Sequence, residues 1–537
     1  MKVKMIMGVV AGMLVTTSFA QNQYDALRFL GDELNGTARF VGMGGAMSAL
    51  GADISTMSTN PAGIGLYRSN DVALSFGWNS NKSSADWGGS VSNENRGRAS
   101  FDQIGFVWST KIGNKTNLRY VNFGFNYHKR ANFNRQFSAK GNLNGLSLTN
   151  QMAGMLLNAG DESGLYYLTN SDFEALLNAS NPYVSGYNGF WGASGTPILG
   201  AMGARTRLVN ARLDEEGNIG DGGISGRDGE YGRYYSREEG GINEYDFNLS
   251  FNMLDRFYFG ATVGVYDIRY NRYSSYSEDI TYGPDNDGSF TLDNWYHTEG
   301  TGLDLKLGMI IRPMEYSPFR IGFAIHTPIW YTLTDHYTAM LSSHYRLGDV
   351  TYAWTENLQD YFQPDYVWDY RLTTPWRFNI STGTVLGGAV ALGAEYEYET
   401  YPTSNMSDLD GYDLNGGVAI DETLKGVHTL RIGMETKIEG FAIRAGYNFK
   451  SSPIKEESFK NIAATDNTRT DPEYMNVKSR QTLTVGLGYR GNLFYADLGY
   501  KYDFYKGDFY AFDDVELPAV KVNNDRHQLL FTVGVNF

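Results

Sequence analysis

The side chains able to do chemistry in this sequence are cations and carboxylates that recur on one face of alternating segments. Arg320, Arg371, Arg377, Arg431, Lys437, Arg444 and Lys450 are opposed there by Glu395, Glu397, Glu399, Glu435 and Asp497. Mutual pairing is the simpler role, while a cation left partly unpaired would hold an anionic group by a charge-assisted hydrogen bond. Arg320, Arg377, Arg431 and Arg444 are the candidates for that contact. The histidines, His128, His297, His326, His336, His344, His428 and His527, are scattered and form no His-Glu-x-x-His pair, so no metal site and no cofactor is expected. Asp285-Asn286-Asp287-Gly288 imitates part of a calcium loop, but Gly283 stands where the first ligand belongs and Asn294 where the closing Glu belongs. An acidic turn is the better reading. No G-x-S-x-G elbow, P-loop or dinucleotide fingerprint is present, so no catalytic residue is assigned and no enzyme is expected.

The segments that position these side chains alternate with a period of two. In the final stretch, RHQLLFTVGVNF, Leu529, Phe531, Val533, Val535 and Phe537 share one face, and Gln528, Leu530, Thr532, Gly534 and Asn536 the other. That is a strand whose two sides meet different solvents. The chain has 537 residues with 42% hydrophobic content, and its mean hydropathy is -0.38. Beyond the N-terminus no apolar run approaches the roughly 20 residues of a spanning helix. Its 63 glycines, about 12% of residues, exceed the ~7% of average usage, and 39 Tyr and 30 Phe accompany them. Aromatic girdles and small lumen residues of a membrane β-barrel would consume both. A net charge of -15 excludes nucleic acid as a partner.

Fourteen alternating segments can be counted, at 71–79, 104–108, 121–127, 245–253, 257–265, 303–311, 321–329, 376–382, 390–398, 430–438, 441–449, 483–489, 494–500 and 529–537. The expected fold is all-β, a transmembrane antiparallel barrel of about fourteen strands, an even number as in bacterial single-chain barrels. Leu254-Asp255-Arg256, Gly387-Gly388, Glu439-Gly440 and Gly491-Asn492 read as tight turns at one end. The stretches 80–99, 131–240, 271–298, 332–366, 403–424, 454–478 and 508–525 read as loops at the other, with 131–240 the largest.

Before the wall, residues 1–20 have the charged start, apolar core and small-residue end of a secretory signal, with Lys2, Lys4 and Ala20 in place. Residues 21–70 lack sustained alternation and string small residues together, then give Asn60-Pro61-Ala62-Gly63 and the first strand. A Gly-Gly stretch with an Ala-Asp step followed by Asn-Pro-Ala-Gly before a strand resembles the N-terminal hatch of the FadL/TodX family of outer-membrane transporters. The resemblance implies a signal at 1–20, a hatch at 21–70 folded inside the lumen, and a barrel over 71–537 in the outer membrane, inserted by the barrel assembly machinery. Phe537 would be its closing aromatic.

The resemblance also implies a passive, hatch-gated channel for hydrophobic small molecules such as long-chain fatty acids, with outer-membrane lipid around it. In the 131–240 loop, Leu148, Met152, Met155 and Leu156 fall at helical spacing, and a second piece with Phe173 opens on a capping box of Ser171 and Glu174. These apolar helices would make first contact with ligand, or else bury one another over the barrel mouth. A general diffusion porin and a haemin receptor are the competing readings. A porin would keep an open polar channel, which some fifty residues ahead of the wall oppose.

Overall fold

Aromatic and β-branched residues at every second position suit extended backbone with two unlike faces. In the computed structural model they form fourteen antiparallel wall strands. These are Asp71–Trp87, Ser90–Lys111, Leu118–Asn132, Asp228–Met253, Phe257–Thr281, Asp287–Ile311, a seventh in two pieces (Arg320–His326 and Trp330–Leu347), an eighth in two pieces (Tyr366–Thr373 and Arg377–Leu386), Val390–Glu399, Val427–Ile438, Phe441–Lys450, Tyr474–Arg490, Phe494–Tyr510 and Val520–Asn536. The barrel closes where the last strand pairs with the first, from Asp71 opposite Asn536 to Asp86 opposite Lys521. Each segment expected from the sequence overlaps one of these strands. The structure describes residues 23–157, 170–183, 197–213, 219–281, 287–347, 349–363, 365–414, 420–456, 458 and 470–537. The expected signal at 1–20, residues 21–22, and Asp285 and Asn286 of the calcium-like turn lie outside them.

The short turns, at 112–117, 254–256, 312–319, 387–389, 439–440 and 491–493, share one end of the barrel. At the other end the strands run much further than their apolar alternation suggested. Residues 80–99, expected as a loop, are strand: Ser80 pairs with Gly97 and Trp87 with Ser90 across a turn at Gly88 and Gly89, both with left-handed φ. Arg135–Gly145 likewise extends the wall beside the fourth strand, so the stretch 131–240 begins and ends in sheet.

The reason is an inversion of polarity along each strand. On the fifth strand Phe259, Val263 and Val265 are exposed outward while Thr262 is buried inward, which is the pattern of a wall in lipid with a polar lumen. Further along, outward positions become Asp267, Arg269 and Asn271, and inward ones become the buried Tyr266, Ile268 and Tyr270. The sixth strand turns over at the same height, from Leu303, Leu305 and Leu307 outward to Thr301 and Glu299 outward, with Tyr296, Leu292 and Phe290 buried inside. Nine residues, Phe257 to Val265, carry the apolar outward face, close to the ~9–11 a tilted spanning strand needs.

The seventh and eighth strands each break once, side by side. Pairing stops at His326 opposite Arg377 and resumes at Trp330 opposite Thr373. Pro328 and Pro375 lie in the gap, and neither can donate a ladder hydrogen bond. Thr374 holds the gap together: its hydroxyl accepts the Ile329 amide at 2.8 Å and its own amide donates to the Ile329 carbonyl at 3.1 Å. The break also shifts phase. Arg371, expected on the inner face with Arg377, is exposed outward, because three unpaired residues exchange the faces of the strand.

A charge on the apolar band tests its contact with lipid. Val533→Arg should lower the yield of assembled, heat-modifiable barrel, at a cost of roughly 2–4 kcal/mol near the bilayer midplane. Ser275→Arg, on the outward face above the band, should assemble normally.

Candidate functional site

The segment from Gln23 to Asn70 lies inside the barrel, with its first helix, Gln23–Leu30, in the upper half and the remainder nearer the short-turn end. Its turns are capped by its own side chains. Thr37 accepts the Phe40 amide at 3.0 Å and donates to Asp53, Asp53 accepts the Ser55 amide at 3.0 Å, and Asn60 accepts the Ala62 amide at 3.1 Å. Pro61 suits the first turn of the short helix Pro61–Leu66, where a missing N–H costs nothing. Of the Asn-Pro-Ala-Gly residues, Asn60 donates to the wall carbonyl of Met309, the Pro61 carbonyl accepts the Ser250 hydroxyl at 2.8 Å, Ala62 is fully buried, and Gly63 donates to the Asn60 carbonyl.

Sequence reasoning missed what lets this segment sit so close to the wall. Inward glycines on successive strands leave room for its backbone: a Cβ at Gly260 would meet Pro61, at Gly393 the carbonyl of Ala46, at Gly433 the carbonyl of Met43, and at Gly446 the amide of Gly44. The recurrence of glycine at inward positions of neighbouring strands was the available signal. Gly433→Ala should therefore lower the thermal unfolding midpoint of the purified protein, by about 1–3 kcal/mol of overpacking. Gly154→Ala, in a helix with open space at its Cβ, should not.

A charged layer with Asp32, Arg377, Arg431 and Lys450 lies above the hatch core, while Arg320 and Arg444 sit nearer the short turns, and all four candidate arginines have partners. Arg377 bonds Asp32 of the hatch at 2.9 Å and Glu399 at 3.1 Å. Arg431 holds Glu395 and Glu397 at 2.5 and 2.9 Å. Arg444 joins Glu435 and Asp497 at 2.7 and 2.6 Å, and Glu435 also receives Arg39 of the hatch at 2.9 Å. Arg320 donates to the Leu50 carbonyl at 2.6 Å. Lys450 meets both Asp32 and Glu399 at 2.8 Å. His128, Glu244 and Asp246 bring ligand atoms within 4.8 Å of one another, as a metal site would. The ammonium of Lys306 already lies 2.7 Å from each of the two carboxylates, a buried cation in the place a metal would take.

The other candidates lie at the mouth. Leu148, Met152, Met155 and Leu156 are buried on the helix Leu148–Leu157, and Phe173 is buried on the helix Asn170–Asn178. Both bury these side chains in one apolar cluster with Leu199 and Met202 of a third helix, Ile198–Arg205. The side chain of Ser171 in the expected capping box lies outside those described. Arg205 ties the second and third helices to the wall: it donates to Glu356 at 2.7 Å and to the carbonyls of Leu176, Leu177 and Ala179. The same cluster continues down the inner wall through Tyr270, Tyr296, Ile329 and Leu333 to Phe29 and Leu30 of the first hatch helix, Gln23–Leu30. Phe29 stands edge-on to Tyr270 at 6.0 Å, and Arg28 lies over the Tyr270 ring at 4.6 Å.

One carboxylate latches this cap. Glu278, on the upper wall well beyond the apolar band, accepts the Leu148 amide at 2.8 Å, the Ser147 hydroxyl at 2.5 Å and the Tyr276 hydroxyl at 2.7 Å. Burial pushes its acid constant up from 4.5 to about 7, against these donors, which favour the anion. A raised carboxyl value means that the docked state prefers the protonated acid. Docking is therefore strongest below about pH 4.5 and loses about 3 kcal/mol as pH rises through 7. Protease should cut within residues 131–240 faster at pH 8 than at pH 5, and Glu278→Gln should flatten the difference.

No family model matches the chain, and no curated protein matches it. Among solved structures, a Pseudomonas aeruginosa FadL homologue aligns with 94% of this chain and 99% of its own at 13% identity and a TM-score of 0.50. The Pseudomonas putida toluene transporter TodX covers 94% and 99% at 10% identity and 0.46, and the CymD monoaromatic hydrocarbon channel covers 95% and 98% at 10% and 0.44. In fold, a closed fourteen-stranded barrel with its N-terminal segment in the lumen, the chain resembles the FadL homologue.

Proposed function

We propose that this protein is an outer-membrane channel for passive uptake of hydrophobic small molecules, with residues 21–70 acting as its gate. The observation that carries the reading is the single apolar cluster that runs from the cap helices down to Phe29 and Leu30 of the hatch. Two residues further, Asp32 begins the charged layer. A long-chain fatty acid fits that boundary: its tail lies along Phe29 and Leu30, and its carboxylate competes with Asp32 for Arg377 and Lys450. Displacing Asp32 removes two of the ion pairs that hold the hatch to the wall, which links capture to gating. In this reading the short turns face the periplasm, residues 1–20 are removed on export, and the cap helices with Leu148, Met152, Met155, Leu156 and Phe173 receive the ligand first.

Proteoliposomes carrying the protein should take up labelled long-chain fatty acid and exclude glucose, and planar bilayers should show low ion conductance. Arg377→Gln should weaken binding of the acid about tenfold and leave its methyl ester unchanged. Glucose entering as fast as the fatty acid, with porin-like conductance, would sink the reading and favour a general diffusion pore.

A further inference from the structure

Above the apolar band, the outer face of the wall carries a groove of about 390 Å3 across the fourth to seventh strands. Tyr273 and Trp295 stand opposite one another there, ring centroids 5.5 Å apart and planes tilted by 39°. Next to them His297 and His336 face each other across the following strand pair at 5.8 Å. Asn271 and His297 are joined by a 2.8 Å hydrogen bond between Oδ1 and Nδ1, which directs the other ring nitrogen toward Glu299 at 3.4 Å. Thr338, opposite Trp295, lines the groove and is more than nine-tenths buried, and its hydroxyl has no hydrogen-bond partner among the described residues.

Aromatic rings facing water beside Asp267, Arg269 and Glu299 form a surface suited to a partner with both apolar and polar faces. Height rules out an acyl chain. Trp295 lies eight residues beyond Leu303, the last aliphatic outward side chain of the sixth strand, which at ~3.3 Å per residue and a tilt of ~40° sets it about 20 Å above the apolar band. The groove offers flat rings beside the Asn271 amide, two imidazoles, the carboxylates of Glu239 and Asp365 and the guanidinium of Arg237. Sugars match that set: their C–H faces stack on aromatic rings, and their hydroxyls both donate and accept. Because the groove opens sideways from the wall, its occupant stands beside the barrel and not in its lumen.

We propose that this groove binds the saccharide of a membrane glycolipid standing against the wall. The lipid anchor rests on the outer-membrane reading above, whereas the saccharide chemistry rests on the groove alone. Binding is measured on purified full-length protein by Trp fluorescence, with rough-type lipopolysaccharide, lipid A without core sugars, and the free core oligosaccharide. Core-bearing lipopolysaccharide should bind about tenfold more tightly than lipid A, and free core oligosaccharide should compete. Trp295→Ala and Tyr273→Ala, both followed by competition binding and checked for heat-modifiability, should each remove most of that preference. Equal affinity for lipid A, or an unchanged preference in both variants, would overturn the proposal. Fatty-acid uptake by Trp295→Ala should stay at the unmodified level, so loss of saccharide binding and failure of the uptake reading are separately visible.

Discussion

Each long strand of this barrel passes from one outside solvent into another, and its two faces exchange roles at the crossing. Below Val265 and Leu303 the outside is apolar and the inside holds Thr262, Asp304 and Lys306. Above them the outside is Asp267 and Glu299 and the inside is Ile268, Tyr270 and Leu292. The rule is the same in both halves, since apolar side chains leave water for whatever apolar surroundings are available. Lipid supplies those surroundings below, and the enclosed volume supplies them above. The result is a polar lumen at membrane depth with a greasy chamber stacked on top of it.

That division explains which parts of the fold could be read from the sequence. The membrane half was legible because outward Phe, Leu and Val against inward Gly, Asn, Ser and Thr is a strong pattern. The upper half of the fifth and sixth strands alternates as well, but in the opposite phase, so much of 271–298 read as polar loop, while 90–99 buries no side chain and has no apolar face to read. The cations were grouped with the wall carboxylates that meet Arg377, Arg431 and Arg444, but their partners in the inner segment were not legible. Asp32 and Arg39 come from a segment with no period, and nothing local assigns them to Arg377 and Glu435. Arg371 failed for a different reason, since a two-proline break resets the phase on which its face was judged.

Within the lumen, the glycines and the charges hold the hatch in complementary ways. Gly393, Gly433 and Gly446 admit its backbone to contact distance with the ninth, tenth and eleventh strands. Asp32, Arg39 and Glu33 then fix its orientation through Arg377, Lys450, Glu435 and Arg526. The steric fit is unaffected by solutes, whereas the ion pairs are open to exchange with any anion or cation that reaches them.

Asn70 is the last residue before the wall begins, and its backbone exchanges two hydrogen bonds with Phe537, at 2.9 and 3.0 Å. The pivot of the inner segment is thus fastened to the seam where the sheet joins itself. A pull on that segment toward the short-turn end is borne first by Asn70, then by the terminal carbonyl and amide of the final strand. The seam beyond them is a continuous ladder of pairs up to Lys521, loaded from one end, so it would open by peeling and not all at once. The C-terminal aromatic is therefore the first rung of the closing seam to feel any movement of the segment within.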